Sequence, residues 1–507
     1  MSPRELLFKL PTDYSEEYLK EKICQIVKVK EFTYQVENKS LDARNKDSIY
    51  WLVKVAVFLP IAGESISQAP PTLHISYLPR KEKVIIVGSG PAGFFAALVL
   101  QKAGFKTTII ERGKDVDKRA QAIELFETSG NFDPTANYAF GEGGAGTFSD
   151  GKLTSRSKHI SREKQFILDC YIQAGAPKEI AYLAHPHLGS DNLKLIVRNL
   201  RQEYLSLGGC ILFETVLTDI KIRHNKVVEA ITSHGLLEVD FIIMASGHSA
   251  YDTFRMLISH GVAFKAKNFA LGHRVEHSQN SINLAQWGVE KLKGVTAAEY
   301  RLTSNVPGQL GVYTFCMCPG GVIVPANAYE KMSVVNGMSY YQRDGKYANS
   351  ACVTGLNLET LGGISSPLEI LDWVENLERS FYEFTNGYKI PVCKISDYMR
   401  ENMTSFSGET SFPLGVVDAP IWKLIPIKLS QSIRSGIMDF SRKLVGFESG
   451  NIMGLESKTS APIQVIRDSG YRCLGFDNLF VVGEGSGHSG GIISSAADGI
   501  KVALNLI

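Results

Sequence analysis

The chain has 507 residues, of which 44% are hydrophobic and 21% charged, so it can bury a large core and is long enough for two to four domains. Its 54 basic and 52 acidic side chains nearly cancel, which disfavours nucleic acids and acidic membrane surfaces as partners. The eight scattered cysteines suit reduced thiols, and no segment has the roughly 18 consecutive apolar residues of a membrane span, so we expect a cytoplasmic protein without a membrane partner.

The amino-terminal residues 1–60 predict a small α+β module of the ferredoxin-like kind. Their apolar pattern indicates a strand over 5–10, a helix over 15–27, and strands over 31–37 and 49–58. The polar residues 38–47 suit an exposed hairpin tip between the last two strands. Residues 61–82 contain Gly, Ser and Pro without helical periodicity, so we predict a linker there.

A complete βαβ unit begins at residue 83, where an unbroken apolar strand leads into GSGPAG, a helical run and a second strand that ends at Glu111. Gly88 allows the tight turn, Gly90 lets the backbone approach a pyrophosphate, and Gly93 lets the helix pack closely on the strand. Glu111 stands 23 positions after Gly88, where a carboxylate accepts hydrogen bonds from ribose hydroxyls and disfavours a 2′-phosphate. This unit predicts a bound adenine dinucleotide.

The rest of the chain completes this domain around a second lobe. Short β-rich segments over 211–245 predict a β-meander beside the main sheet. Residues 262–445 are less regular and rich in Gly, Asn and Tyr, so we predict an inserted lobe that binds the substrate. The chain then returns to an apolar strand and a terminal helix. The predicted fold is therefore α/β, with a Rossmann-like domain over 83–261 and 446–507.

Two further strings match GxGxxG but lack the surroundings of a second dinucleotide turn. GEGGAG at 141–146 is not followed by a helix, so we expect a flexible backbone nest whose amides approach a phosphate or a flavin edge. GSGHSG at 485–490 follows a strand and opens a helix, but only 17 residues remain after it. That is too few for another βαβ unit, so this string serves a ligand held elsewhere.

The combination of GSGPAG with Glu111, ASG at 245–247 and GEGSGHSGGI at 483–492 resembles the three FAD motifs of the glutathione-reductase-like two-dinucleotide-binding superfamily. FGEGGAGTFSDGKL, GHSAYDTF, FCMCPGG and GLESKTSAP resemble, more narrowly, bacterial NAD(P)/FAD-dependent oxidoreductases known only as uncharacterised FAD-dependent dehydrogenases. The similarity covers nearly the whole chain. It implies an oxidoreductase that holds FAD non-covalently and acts on a small molecule.

The resemblance also implies which residues hold FAD. Val216 would offer its backbone to adenine, Gly483 and Glu484 would contact the pyrophosphate and ribityl chain, and the amides of Gly491 and Ile492 would face the pyrimidine edge of the flavin. Glu484 departs from the aspartate that is usual there, and Ser246 from a more usual threonine. The full implied set is Gly88, Gly90, Pro91, Ala92, Gly93, Glu111, Arg112, Gly144, Gly146, Thr147, Val216, Ala245, Gly247, Gly483, Glu484, Gly491 and Ile492.

Cys316 and Cys318 are the first candidates for catalytic residues. They follow the β-prone run GVYTF, and alternation along a strand puts residues two apart on one face. Thiols beside a flavin could relay electrons or attack a substrate, but the strained spacing CxC also suits packed, structural thiols.

Arg274, within GHRVEH, is the third catalytic candidate. Its guanidinium could pair with a substrate carboxylate, or it could sit in a surface ion-pair cluster with the flanking polar residues. His185 and His187 lack the additional ligands of a metal site, so we predict no metal.

The leading hypothesis is thus a FAD-dependent dehydrogenase or reductase of a small molecule. One alternative is an RNA-linked flavoprotein of the tRNA-modifying type, which the balanced charge before residue 83 disfavours. Another is a protein that binds FAD without catalysis. Because the chain has no second intact βαβ fingerprint, NADH or NADPH would dock only transiently, and the substrate itself is the alternative reductant.

Overall fold

A computed structural model describes residues 3–59, 73–358 and 363–507. The amino-terminal module forms an antiparallel sheet in the order β1-β3-β2, with one helix packed on it through Leu19, Ile23 and Val27. Ser15 caps this helix by accepting a hydrogen bond from the Tyr18 amide at 3.2 Å. The elements of the module are β1 (Arg4–Leu10), α1 (Glu16–Val27), β2 (Thr33–Asp42) and β3 (Tyr50–Phe58).

The hairpin tip predicted over 38–47 is wrong in its first half. β2 continues to Asp42, which pairs with Tyr50 after a β-bulge between Val36 and Asn38. The connection between the two strands is therefore confined to residues 43–49. Of the predicted linker, residues up to 72 lie outside the described ranges, and residues 73–82 contain neither helix nor strand.

The Rossmann-like domain is built on a parallel five-stranded sheet in the order β22-β10-β4-β5-β6, with β22 (Leu479–Val481) near the end of the chain. The apolar residues of β4 are buried on both faces, as is usual for a central parallel strand. The β-meander predicted over 211–245 is confirmed for the antiparallel sheet β7-β8-β9, but both ends of that stretch, β6 and β10, belong to the parallel sheet. The elements are β4 (Lys83–Val87), α2 (Pro91–Lys102), β5 (Lys106–Ile110), α3 (Val116–Ser129), α4 (Ser161–Gln173), α5 (Gly189–Ser206), β6 (Cys210–Leu212), β7 (Leu217–Arg223), β8 (Lys226–Thr232), β9 (Gly235–Glu238), β10 (Phe241–Met244) and α6 (Tyr251–Ser259).

The second lobe is organised by a seven-stranded sheet in the order β13-β14-β17-β12-β20-β18-β19. Helices α7 to α10 cover its core. The elements of this part of the chain are β11 (Phe264–Ala266), β12 (Phe269–Ser278), α7 (Gln279–Trp287), β13 (Thr303–Ser304), β14 (Val312–Cys318), β15 (Val322–Pro325), β16 (Val335–Met338), β17 (Tyr347–Leu356), α8 (Pro367–Thr385), β18 (Ile390–Lys394), α9 (Ile395–Arg400), β19 (Val416–Asp418), α10 (Ile427–Lys443) and β20 (Asn451–Glu456).

The predicted return to the Rossmann-like domain at residue 446 is wrong, because β20 belongs to the lobe sheet, where it pairs with β12 and β18. The chain leaves the lobe after β20 and forms β21 (Ile463–Val465), which pairs with β11, then β22 and α11 (Ile492–Leu506). α11 packs directly on α2, since a Cβ added to Gly499 would lie 2.0 Å from the Ala92 carbonyl oxygen. Within the described ranges, no helix is both long enough and apolar enough to cross a membrane.

Candidate functional site

The glycines of the first βαβ unit meet two different demands at the carboxyl edge of the parallel sheet. Gly88 has φ +105°, and a Cβ there would lie 2.4 Å from the Ala245 carbonyl oxygen. A Cβ on Gly93 would lie 2.0 Å from the Gly88 carbonyl oxygen. A Cβ on Gly90 would come no closer to protein than 3.7 Å, from Gly144 Cα. The fold therefore requires the outer two glycines, whereas only a ligand requires the middle one.

The Glu111 carboxylate is buried and already accepts hydrogen bonds from the protein. Its oxygens receive the Ser89 amide at 2.9 Å, the Ser89 hydroxyl at 2.7 Å, and the amides of Gly113 at 3.0 Å and Gly141 at 3.2 Å. The side chain thus fastens the turn after β4 to two neighbouring loops. A ribose hydroxyl would have to replace one of these donors, most directly the rotatable Ser89 hydroxyl.

The nest predicted over 141–146 is instead a loop whose amides are hydrogen-bonded to the protein itself. The amides of Glu142, Gly143 and Gly144 donate to the carbonyls of Lys114, Ser89 and Gly141, at 3.0, 3.2 and 3.0 Å. Its organiser is Arg119 on α3, a fully buried side chain that donates to carbonyl oxygens along the loop. These acceptors are Asn137, Tyr138, Gly141, Glu142 and Gly144, at 2.8 to 3.2 Å. Sequence reasoning missed Arg119 because nothing near it in the chain distinguishes it from a solvated arginine.

The other glycine-rich strings converge on the same edge. The loop approaches the start of α11, since a Cβ on Gly146 would lie 3.0 Å from Ile492 Cγ1. α11 begins after Gly491, which has φ +84° and is exposed together with Gly490. Thr147 is buried, and its hydroxyl has no hydrogen-bond partner in the described part of the chain. This edge therefore combines two helix amino termini with an unsatisfied hydroxyl, which suits an anionic, polar ligand.

Two implied FAD contacts have other partners. The Val216 amide donates to the Ser233 hydroxyl at 3.1 Å, and the Val216 carbonyl accepts from the Ser233 amide at 2.9 Å, so the backbone expected to face adenine is engaged. Arg112 donates to both carboxylate oxygens of Asp252, at 3.0 and 2.9 Å, and its guanidinium lies 4.3 Å from the centre of the Phe140 ring.

In the third motif, two carboxylates, Asp498 and Glu484, lie where the resemblance implies a single aspartate. The Gly483 amide donates to Asp498 at 2.9 Å, and Asp498 also pairs with Arg467 at 3.0 Å. Glu484 instead lies beside His248, with 3.3 Å between Oε2 and Nδ1. Sequence reasoning singled out neither Asp498 nor His248, although His248 directly follows the ASG string.

In the second lobe, Cys316 and Cys318 do not share a face. A β-bulge shifts the register of β14 against β17, so that Phe315 pairs with Ala351 and Cys318 with Asn349. Cys316 takes the left-handed conformation at φ +44°, which is rare for a side chain other than glycine. Cys316 is exposed, whereas Cys318 is buried. The expectation that both thiols point to one surface is therefore wrong.

Arg274 is completely buried beneath this bulge, so the surface ion-pair cluster is also wrong; its polar neighbours in GHRVEH are buried as well. Its guanidinium donates to the Cys316 carbonyl at 2.7 Å, to Asn349 at 2.8 Å, and to Glu456 at 3.1 Å. It also lies 3.4 Å from Cys318 Sγ. Arg274 thus holds the strained bulge, and its donors are occupied by protein groups.

Lys152 supports the same bulge from the Rossmann-like domain. Its ammonium donates to the Met317 carbonyl and lies 3.5 Å from Asp150, which accepts two hydrogen bonds from Arg343. Burial alone would raise the pKa of Asp150, but the Lys152 and Arg343 cations outweigh it and hold that pKa below its usual range. The missed signal was the pair of charges in FSDGKL, directly after the glycine-rich loop.

Among the described residues, no group of three or more His, Cys, Asp or Glu is arranged to hold a metal.

A protein of Clostridium beijerinckii (strain ATCC 51743 / NCIMB 8052), itself uncharacterized, is 38% identical over 512 residues, which cover 96% of this chain and 95% of that protein. Residues 81–129 match a FAD binding domain, and residues 268–459 match the C-terminal domain-like part of FAD-dependent proteins. The chain belongs, with this relative, to a family of FAD-dependent proteins. The match over 268–459 includes β20, in agreement with the lobe boundary seen in the structure.

Solved flavoproteins resemble this FAD-dependent family member only distantly. CtdE in complex with FAD and substrate 4 is 12% identical, with 84% of this chain and 80% of that chain covered and a TM-score of 0.36. Glycine oxidase from Bacillus cereus ATCC 14579 is also 12% identical, with 84% and 95% covered and a TM-score of 0.33. Likeness at this level defines neither substrate nor reaction.

The residues at the carboxyl edge fit FAD, which is the cofactor of this family member and is held non-covalently. The amino terminus of α2 and the bare Gly90 backbone suit the pyrophosphate, and the exposed start of α11 at Gly491 suits the pyrimidine carbonyls of the flavin. The unpartnered Thr147 hydroxyl offers one further hydrogen bond to the cofactor.

Proposed function

We propose that the protein is a dehydrogenase or reductase of the glutathione-reductase-like superfamily, which oxidises or reduces a small molecule at the junction between the Rossmann-like domain and the lobe. The observation that carries this proposal is the segment from Gly144 to Lys152, which borders the cofactor edge at its start and the β14 bulge at its end. The lobe thus presents a polar, strained surface next to the cofactor edge rather than a sealed apolar cover.

In this proposal, FAD supplies the transfer of a hydride or electrons, and the protein positions the substrate. Cys316 contacts the substrate as a neutral thiol. Part of the residue is exposed, but desolvation of the thiol by the surrounding protein disfavours a thiolate and raises the pKa of Cys316 to about 12. Burial also raises the pKa of the Cys318 thiol. Arg274 and Cys318 are positioning residues: both donate a hydrogen bond to the Cys316 carbonyl and so hold the bulge in place.

The proposed reaction is tested by anaerobic stopped-flow reduction of the purified yellow protein with NADH, NADPH and a pool of metabolites. Flavin reduction by one of them within the turnover time identifies the electron donor, and we expect NADH or NADPH to dock transiently. If no donor reduces the flavin, the protein is not a dehydrogenase and FAD has a structural or sensory role.

The role of the thiols is tested with Cys316→Ser and Cys318→Ser, made singly and together. The double variant should keep FAD and turn over its substrate more slowly, with Cys316→Ser accounting for most of the loss. Unchanged turnover would reduce both thiols to packing residues, and loss of FAD would assign them to the fold.

The RNA-linked alternative gains no support from the amino-terminal module. On the sheet, Lys54 pairs with both Glu5 at 2.9 Å and Glu37 at 3.0 Å. An RNA-binding platform needs a basic stripe or exposed aromatic rings instead. We therefore propose a small-molecule substrate without a nucleic-acid partner, in the cytoplasm, where the eight free cysteines stay reduced.

A further inference from the structure

His248 has an unsatisfied nitrogen at the cofactor edge. Only 8% of the residue is exposed, and within the described ranges its Nε2 has no hydrogen-bond partner. Its other ring nitrogen, Nδ1, lies 3.3 Å from the Glu484 carboxylate. Buried polar atoms in proteins almost always have a partner, so an exception at the edge of a binding crevice is a candidate contact for the ligand.

The position of the pair is set by two neighbouring strands. His248 follows the carboxyl end of β10, and Glu484 follows the carboxyl end of β22, which runs parallel beside it. The two loops touch, because a Cβ on Gly485 would lie 2.7 Å from the Gly247 carbonyl oxygen. β10 also pairs with β4, where the order of strands reverses direction. In open α/β sheets the ligand binds at such a switch point.

The pair also accounts for the longer carboxylate at position 484. The structural duty next to this glycine is already fulfilled by Asp498, which accepts the Gly483 amide and pairs with Arg467. Glu484 does not bind the Gly483 amide, so its carboxylate can contact the His248 imidazole instead. With Nδ1 turned towards the carboxylate, Nε2 is the ring atom available to a ligand.

We propose that His248 is a direct ligand of FAD, with Nε2 hydrogen-bonded to an oxygen of the pyrophosphate and ribityl chain, and that Glu484 is the positioning residue of His248. A neutral ring accepts a hydrogen bond from a ribityl hydroxyl, and a protonated ring donates to a phosphate oxygen; either bond satisfies the same atom. The proposal rests on FAD binding alone and is independent of the reaction that the flavin performs.

The test measures the Kd of FAD by fluorescence titration of apoprotein prepared by removing the flavin. His248→Ala should weaken binding on the order of tenfold to a hundredfold, the effect of losing a hydrogen bond to a polar or charged group in a buried site. His248→Gln retains a polar group and should lose less. Glu484→Gln should also weaken binding, and its effect should vanish in the His248→Ala background, because Glu484 acts through His248.

His260→Ala is the matched control. His260 forms a similar pair with Asp219 at 2.5 Å, on the same domain but at the end of α6 and partly exposed. Its loss should leave the Kd of FAD within about twofold of the wild-type value, the error expected for a distant site. The thermal midpoint of each apoprotein checks folding.

The proposal is overturned if folded His248→Ala binds FAD as tightly as His260→Ala does, or if the effects of His248→Ala and Glu484→Gln simply add. If His248→Ala does not fold, folded His248→Gln and Glu484→Gln decide in the same way: wild-type Kd values in both overturn the proposal, and weakened binding in both supports it.

Discussion

Gly90→Val separates the demands of the cofactor from those of the fold. Gly90 has φ −67° and ψ 176°, an extended conformation open to any residue, and its added Cβ would lie at an ordinary 3.7 Å from Gly144 Cα. The apoprotein should therefore lose at most about 1 kcal/mol, the typical difference between a good and a poor helix cap. The valine methyl groups, however, occupy the path by which a pyrophosphate reaches the α2 amides.

Losing two charge-assisted hydrogen bonds at about 1.5 kcal/mol or more each weakens FAD binding by more than about 3 kcal/mol, or over a hundredfold in Kd. The assay is the flavin released by acid per mole of folded protein, together with the thermal midpoint of the apoprotein. Gly93→Ala is the opposite case, since its Cβ would meet the Gly88 carbonyl at 2.0 Å and should destabilise the fold itself. Near-stoichiometric flavin in folded Gly90→Val would refute the assignment of this turn.

Three other predictions concern stability and domain roles. Arg274→Met should lower stability by about 3 to 5 kcal/mol, because the fully buried Glu456 loses its cation, and adding Glu456→Gln should recover part of it in denaturant titrations. Deleting residues 1–78 should leave close to one FAD per chain, since the cofactor edge begins after β4; a folded but flavin-free product would show that the module completes the site. Burial raises the pKa of Glu142 from 4.5 to about 7, so its contribution to stability is present below about pH 4.5 and is lost as the pH rises through about 7. In the apoprotein, Glu142→Gln should reduce this decrease of the free energy of unfolding with rising pH. Part of the decrease should remain, because burial also raises the pKa of Glu276 to about 7.

The parts predicted correctly are those encoded locally. The turn after β4 depends on glycines within six consecutive residues and on an apolar strand and helix on either side, so the sequence reveals it. The terminal strand and helix and the β-meander follow from similar local patterns.

The errors arise where distant segments decide the outcome. The bulge at Cys316 forms where the register against β17 shifts and Arg274 binds the Cys316 carbonyl, and neither partner is near it in the chain. GHRVEH reads as a polar surface, but β12 is a central strand whose polar side chains are buried inside the lobe. β20 ends the lobe for the same reason: pairing with β12, rather than its own composition, places it there.

The short ladder between β11 and β21 has a mechanical consequence. The chain enters the lobe after β11 and comes back through β21, and these two crossings are hydrogen-bonded to each other as an antiparallel ribbon. The Lys267 amide extends the ribbon by donating to the Pro462 carbonyl at 2.8 Å. A lobe joined to the Rossmann-like domain by two hydrogen-bonded strands is more constrained than a flap on a single hinge.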